Sequence, residues 1–255
     1  MNIIIIGTGN IATVLGKRLK AAGHTIQQIW GRDPAAASAL AYELDSESTQ
    51  YWSVVQRTAD VYLIAVSDVA IPEVVQHLEL SPKVVVHTAA AVDKLALQPA
   101  SGNYGVFYPL QSLNKRSTTL PQIPILIDAS NAETLAVLET LGQTVSNTVA
   151  VAGEAERTGL HVAAVFCSNF VNHLYALAEQ WCAANQLDFT LLLPLIEETA
   201  ARLRTASPIA LQTGPALRRD LSTLQKHEDL LHNHPQLLSV YRALTQSIQQ
   251  TPAAQ

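Results

Sequence analysis

The stretch IIIIGTGNIA, residues 3–12, places four isoleucines directly before Gly7, Thr8 and Gly9. Two structures fit it: the strand, turn and helix start of a dinucleotide-binding fold, or an ordinary buried strand with a tight turn. Short glycine motifs recur by chance, so the surrounding sequence has to decide between them. In the dinucleotide interpretation, Gly7 makes the turn, Gly9 lets the backbone approach a pyrophosphate, and Ala12 keeps the helix close to the strand.

The first half of the chain alternates between apolar runs and helical patterns. The apolar, strand-like runs are Asn2–Ile6, Thr25–Trp30, Val61–Ala65, Val84–His87 and Pro124–Asp128. The helical patterns are Ala12–Ala22, Pro34–Leu44 and Ile71–Leu78. Such alternation is typical of a parallel sheet covered by helices on both faces. This context favours the dinucleotide interpretation, in which a phosphate binds at the helix start. The predicted contacts there are Gly7, Thr8, Gly9, Asn10 and Ile11.

From about residue 150 the strand pattern stops and the sequence is helical. One long helix is predicted over 153–185, followed by helices near 189–204, 215–232 and 235–250. We therefore predict an α/β fold in two domains. An N-terminal Rossmann domain with a doubly wound parallel sheet spans residues 1–150, and an all-α domain spans residues 151–255.

Composition indicates a globular protein that works in the cytoplasm. The 255 residues are 48% apolar and 15% charged, with a net charge of −5. Because no basic face or tail is present, nucleic acid is not an expected partner. Cys167 and Cys182 are too few for a disulfide framework and show no metal-ligand spacing. The N-terminus does not resemble a signal peptide, and polar groups in the apolar segment 160–178 make a membrane span costly.

The end of the second predicted strand bears on the choice of cofactor. It contains Trp30, Gly31, Arg32 and Asp33, without the acid that holds the ribose 2′-hydroxyl of NAD at the strand tip. Arg32 offers a fork of donors suited to a 2′-phosphate, so NADP(H) is the predicted cofactor. Alternatively, Arg32 is a solvated loop arginine, and Asp33 begins the next helix as a cap.

The sequence lacks the catalytic motifs of two common Rossmann classes. No tyrosine has a lysine four residues on, which excludes short-chain dehydrogenases. The Lys-x-x-x-Asn of 6-phosphogluconate-type enzymes is also missing. The candidate that remains is HVAAVFCSNFVNH, residues 161–173, where a regular helix places His161, Ser168 and Asn172 within about 40° of one another, with Asn169 about 80° from His161. This polar stripe faces either a ligand or another hydrogen-bonding helix.

Further candidates lie after predicted strands and in the helical half. Val66 and Ser67 follow the strand at 61–65, and His87 ends the next one; all three are predicted to contact the cofactor. Tyr108 is predicted to contact the substrate, although packing within turns is the commoner explanation for His87 or Tyr108 taken singly. Arg218 is suited to an anionic substrate group, or forms a surface ion pair.

Six motifs occur in a familiar order. They are the glycine turn, DVYLIAVSD (60–68), HTAAAV (87–92), FYPLQS (107–112), HVAAVFCSNFVNH (161–173) and TGPALRRD (213–220). With them the chain resembles the Rossmann-like proteins that carry domain of unknown function 2520, which are similar to pyrroline-5-carboxylate reductases and 6-phosphogluconate-type dehydrogenases. The resemblance implies an NADP-binding domain and a helical domain used for dimerisation, but no particular reaction. The chain departs from the family pattern at Ala89 and Ala90, where a Ser-Gly pair is expected.

Three functional hypotheses follow from these observations. The first is an NADP(H)-dependent oxidoreductase that transfers hydride to or from a carbonyl or imine carbon of a small metabolite. In it His161 is the general acid or base, Asn169 and Asn172 orient the substrate, and Ser168 contacts it. The second is a nucleotide-binding sensor without turnover, which the missing lysine keeps open. The third is a structural dimer with a vestigial glycine loop. A homodimer is expected because the helix over 153–185 carries apolar residues around much of its circumference.

Overall fold

The computed structural model of the chain describes residues 1–117 and 122–251. The chain divides into two compact units, Met1–Phe170 and Val171–Gln255. The predicted boundary at 150/151 falls instead within the last strand of the sheet, and the first unit also includes the helical residues that follow it.

The first unit is built around one mixed sheet of eight strands in the described residues. They are β1 Asn2–Ile6, β2 Thr25–Trp30, β3 Glu47–Thr49, β4 Val61–Ile64, β5 Val84–His87, β6 Asn103–Pro109, β7 Ile125–Ala129 and β8 Val149–Val151. Their order across the sheet is β3-β2-β1-β4-β5-β6-β7-β8. Strands β1 to β6 pair in parallel, whereas β7 is antiparallel to β6 and parallel to β8. The predicted Rossmann fold is confirmed, and it departs from an all-parallel sheet at β7 and β8, which both run opposite to β1–β6.

Helices connect these strands and continue after them. In the first unit they are α1 Asn10–Ala21, α2 Pro34–Leu44, α3 Ile71–Val75, α4 Ala132–Val145 and α5 Glu154–Ala164, followed by a π-helical segment, Val165–Phe170. In the second unit they are α6 Val171–Ala184, α7 Leu193–Arg202, α8 Pro208–Leu211, α9 Pro215–Arg218, α10 Leu221–Leu230 and α11 Pro235–Gln250. The helical second half of the sequence is therefore confirmed.

The isoleucine run at the N-terminus forms the centre of the sheet. Ile3 and Ile5 belong to the apolar cluster that includes α1 and α2, whereas Ile4 and Ile6 belong to the cluster that includes α3. All four side chains are fully buried. A strand covered on both faces needs a continuous apolar run, because successive side chains point to opposite faces.

The long helix of the sequence prediction is not uniformly α-helical. Residues 165–170 have the wider π-helical hydrogen-bond pattern, in which each turn takes about one residue more than an α-turn. The predicted alignment of His161 with Ser168 and Asn172 assumed a uniform α-helix. That alignment therefore does not carry through this segment, which contains Ser168 and Asn169. Such segments are frequent at functional sites.

One helical stretch among the described residues, Glu154–Ala184, is long and apolar enough to cross a membrane by the criteria of length and composition. Only 6% of its most apolar window is buried. The second unit as a whole also covers little of its apolar surface. Among its described residues the buried ones are Leu177, Cys182, Ala216, Leu224 and Leu231.

Candidate active site

A cleft of about 900 Å³ opens in the first unit at the carboxyl ends of β1, β2 and β4. This is the edge at which Rossmann-type sheets bind their ligands, beside the point where the strand order reverses between β1 and β4. Eight of the nine residues predicted to bind the cofactor line it: Gly7, Thr8, Gly9, Asn10, Ile11, Arg32, Val66 and Ser67. The ninth, His87, is fully buried and is not among the lining residues.

The turn after β1 brings the backbone close to Ala65, the residue that follows β4. Gly7 has φ +126°, a conformation that side chains disfavour, and a Cβ placed on it would lie 2.2 Å from the carbonyl oxygen of Ala65. Its N–H donates to the carbonyl oxygen of Trp30 over 2.8 Å. Glycine is required at this position because the turn has no room for a side chain.

The start of α1 is suited to an anion. Gly9 occupies the N-cap position, so no side chain caps the helix. The first N–H groups of a helix have no partner within it, and the helix dipole adds positive potential at this end. Asn10 points elsewhere: its Oδ1 accepts from the backbone N–H of Lys115 over 3.1 Å. Uncapped N–H groups at a helix start are the arrangement that binds phosphate in dinucleotide-binding folds.

An aromatic wall and one arginine form the side of the cleft beyond β2. Trp30 and Trp52 stack with ring centroids 3.7 Å apart, and Trp52 in turn stacks on His77. Arg32 is exposed at the cleft and makes no hydrogen bond or ion pair in the part of the chain that the structure describes. Asp33 caps α2, accepting from the N–H of Ala35 and Ala36. The Asp33 carboxylate therefore caps α2, which is one of the two alternatives that the sequence left open.

Tyr108 and His161 meet in the first unit. Tyr108 lies in β6 and His161 in α5, and the Tyr108 hydroxyl is 3.0 Å from His161 Nδ1. Their rings contact edge to face. Tyr108 is only 8% exposed, whereas His161 is exposed. The structure thus joins a residue predicted to be catalytic with one predicted to bind substrate.

Burial and nearby charges shape the protonation of this region. Burial, and then the carboxylate of Asp68, raise the pKa of Tyr108, and Arg157 partly opposes them. Its hydroxyl therefore keeps its proton at neutral pH. Burial, followed by the charge of Arg157, lowers the pKa of His87 to about 4. His87 is neutral as a result, and its Nδ1 accepts from the N–H of Ala89 over 3.2 Å.

Four other predicted site residues lie on the helices that follow. Ser168 is half-buried and Asn169 exposed, both on the π-helical segment. Asn172 and Arg218 are exposed and belong to the second unit. Their roles stay predictions. The residue that sequence analysis missed is Arg157, which is 1% exposed. A charged residue in the first turn of a helix gives no signal of burial.

Comparisons with known proteins place the chain in a family. The family model described as NADP oxidoreductase coenzyme F420-dependent matches residues 2–91, and the domain of unknown function DUF2520 matches residues 123–248. A Bacteroides fragilis protein, provisionally named an NADP oxidoreductase, is 36% identical with a TM-score of 0.92, over 98% of both chains. The chain belongs to this NADP oxidoreductase family. The predicted resemblance is confirmed, and the family indicates a nicotinamide cofactor.

More distant structures share the fold of this NADP oxidoreductase family. A Thermotoga maritima protein is 20% identical with a TM-score of 0.70, and 96% of each chain is covered. The 1-pyrroline-5-carboxylate reductase of Streptococcus pyogenes is 16% identical with a TM-score of 0.67, over 98% of this chain and 99% of that one. A search among curated proteins gave no match.

Proposed function

We propose that the protein uses NADP(H) to transfer hydride to or from the carbonyl or imine carbon of a small metabolite, with Tyr108 and His161 handling the proton. The observation that carries the proposal is the 3.0 Å contact between the Tyr108 hydroxyl and His161 Nδ1, in the same unit as the cleft. A proton donor in the same unit as a nucleotide-binding fold supports reductive chemistry at a polar double bond.

The cleft has the features that a dinucleotide phosphate needs. Gly7 and Gly9 keep side chains away from the turn, and the start of α1 is free of a capping side chain. Arg32 is free to pair with a 2′-phosphate, which supports NADP(H) over NAD(H). When bound, the reduced nicotinamide supplies the hydride.

Tyr108 and His161 would act as a proton relay. The neutral Tyr108 hydroxyl donates its proton to the oxygen or nitrogen that becomes anionic as hydride arrives at the neighbouring carbon. His161, which is open to solvent, then returns a proton to the tyrosine oxygen. In the oxidative direction, the same two groups remove the proton. Asn169, Asn172 and Ser168 are proposed to orient the substrate, and Arg218 to hold an anionic group on it.

Turnover with a panel of small substrates tests this proposal. Keto acids, cyclic imines and small aldehydes are mixed with NADPH, and loss of absorbance at 340 nm is followed. At least one substrate should be reduced, and Tyr108→Phe and His161→Ala should each lower turnover roughly 10²–10⁴-fold with NADPH affinity nearly unchanged. Cys167→Ser, which alters an exposed side chain outside the pair, is the control.

The outcome also separates the enzyme from the sensor hypothesis. A sensor would bind NADPH yet show no substrate-dependent oxidation of it across the panel. Turnover that survives in both Tyr108→Phe and His161→Ala would show that the acid lies elsewhere.

We also propose that the protein is a cytoplasmic homodimer that associates through its helical half. With few buried residues of its own, the second unit exposes leucines such as Leu191 and Leu221, which are 76% and 72% exposed. Covering such a surface with a second copy is the simplest way to remove it from water. Light scattering at micromolar concentration should give about twice the chain mass of 27.5 kDa. A particle of single-chain mass would contradict the dimer.

A further inference from the structure

Arg157 joins the first turn of α5 to two separate loops. Its Nε donates to the carbonyl oxygen of Ala90 and its Nη2 to that of Val92, both over 2.8 Å. Its Nη1 donates to the carbonyl oxygen of Ala152 over 3.5 Å. Ala90 and Val92 follow β5, whereas Ala152 follows β8. One buried side chain therefore binds three main-chain carbonyls from two parts of the sheet edge.

The partners of this guanidinium are mainly uncharged. Its ion pair with Asp128, on β7, is long, with 3.9 Å between Nη1 and Oδ2. Asp128 is bound more closely by Lys94, at 2.6 Å. Burying a guanidinium is costly unless its donors are satisfied, so three carbonyl acceptors in fixed directions make this an ordered contact. Arginine suits it because its donors form a rigid planar fork, which lysine lacks.

Arg157 lies one helical turn before His161 in α5. Residues four apart in an α-helix share a face, so Arg157 and His161 lie on the same side of α5. Tyr108 is on β6, which pairs with β5 and β7, the strands that lead to Ala90 and carry Asp128. Arg157 therefore ties α5 by hydrogen bonds to the loop that follows β5, the strand next to that of Tyr108.

We propose that Arg157 is a positioning residue, which holds α5 so that His161 Nδ1 meets the Tyr108 hydroxyl. The inference rests on the proposed function, because it assigns Arg157 a task toward the proposed proton relay. The positive charge of Arg157 also acts on the Tyr108 hydroxyl. Although burial and Asp68 raise the pKa of Tyr108, Arg157 lowers it.

The test measures the Tyr108–His161 contact directly and needs no substrate. Histidines are labelled with ¹³C at Cε1, and the His161 signal is assigned with His161→Gln. In otherwise wild-type protein, Tyr108→Phe should displace the His161 signal, because the ring loses its hydrogen bond. In an Arg157→Lys background, most of that displacement should be absent, because lysine cannot bind three carbonyls in different directions. Arg157→Met should remove it as well.

A matched control separates positioning from general loss of contacts. Arg18 donates from Nη1 to the carbonyl oxygen of Val145 over 2.8 Å and so also links a helix to a main-chain carbonyl. Arg18→Lys should leave the full Tyr108→Phe displacement in place. Thermal melting of each variant shows that it is folded at the temperature of the measurement.

The results distinguish failure of the positioning role from failure of the proposed relay. A full displacement in the folded Arg157→Lys and Arg157→Met proteins would overturn the positioning role and leave the proposed relay intact. An Arg157→Lys protein that did not fold would show that Arg157 stabilises the whole unit, and would likewise overturn it. If Tyr108→Phe failed to move the His161 signal in wild-type protein, the relay itself would be wrong, and the inference with it.

Discussion

Replacing Gly9 with alanine should weaken cofactor binding without weakening the fold. A Cβ on Gly9 would meet no atom within 4 Å, and the backbone, at φ −78° and ψ −171°, is one that alanine adopts readily. Alanine is the poorer N-cap by about 0.5–1 kcal/mol. It also restricts the unfolded chain, which stabilises the fold by about 0.4–1 kcal/mol. The two effects nearly cancel, so the free energy of unfolding should change by less than about 0.5 kcal/mol.

Binding should respond differently, because the new methyl group stands where a phosphate has to approach the N–H groups of α1. Losing one hydrogen bond to a charged group costs about 1.5–3 kcal/mol, which raises the Kd for NADPH about 10- to 150-fold. Gly7→Ala is the contrasting variant: its Cβ would lie 2.2 Å from the Ala65 oxygen at φ +126°. It should cost about 2–4 kcal/mol of unfolding free energy.

Urea unfolding and NADPH titration of both variants give the two quantities. A folded Gly9→Ala protein that binds NADPH as tightly as the wild type would refute the assignment of this turn to the phosphate.

Two other predictions concern Arg32 and His87. Arg32→Ala should abolish a preference for NADPH over NADH worth about 1–3 kcal/mol, whereas Arg57→Ala, a control whose Nη1 donates to the carbonyl oxygen of Glu79, should preserve it. Unequal affinities that persist in Arg32→Ala would contradict this role. His87 has its pKa lowered to about 4 in the fold, so the unfolded chain takes up a proton first as the pH falls below about 6.5. Stability should therefore fall between about pH 6.5 and 4, by about 3 kcal/mol from this group, and His87→Gln should show a correspondingly flatter urea-unfolding profile. Equal slopes in both proteins would contradict it.

The sequence predicted those parts of the sheet that are apolar and continuous. Strands β1, β2, β4 and β5 are buried on both faces, and such burial leaves an unbroken apolar run. Strand β3 was missed because Glu47–Thr49 is a short polar edge strand, held by backbone pairing with β2. Strand β6 is also absent from the predicted strands, because Gly105 and Pro109 interrupt its apolar residues.

Helix α4 was also missed, although the sequence contains signals for it. Asn131 caps the helix by accepting from the N–H of Thr134. The buried residues Thr134, Leu138, Leu141 and Val145 recur at helical spacing. A capping residue followed by apolar residues at this spacing is the pattern that indicates a helix.

The candidate site was predictable where local sequence alone determines it. The glycine turn and Arg32 directly follow the ends of β1 and β2. The apolar pattern of the sequence locates these strand ends. The contact between Tyr108 and His161 joins residues 53 apart in sequence, and pattern alone gave no distance between them. The burial of Arg157 depends on carbonyls supplied by two loops, which no local pattern encodes.

Titration of the wild-type protein with NADPH and with NADH tests the central claim most directly. Trp30 and Trp52 line the cleft, so binding there should change their fluorescence. We expect a saturable change with both cofactors and a lower Kd for NADPH. Equal affinities would contradict the assignment of NADP(H), and no saturable change with either would contradict the cofactor site itself.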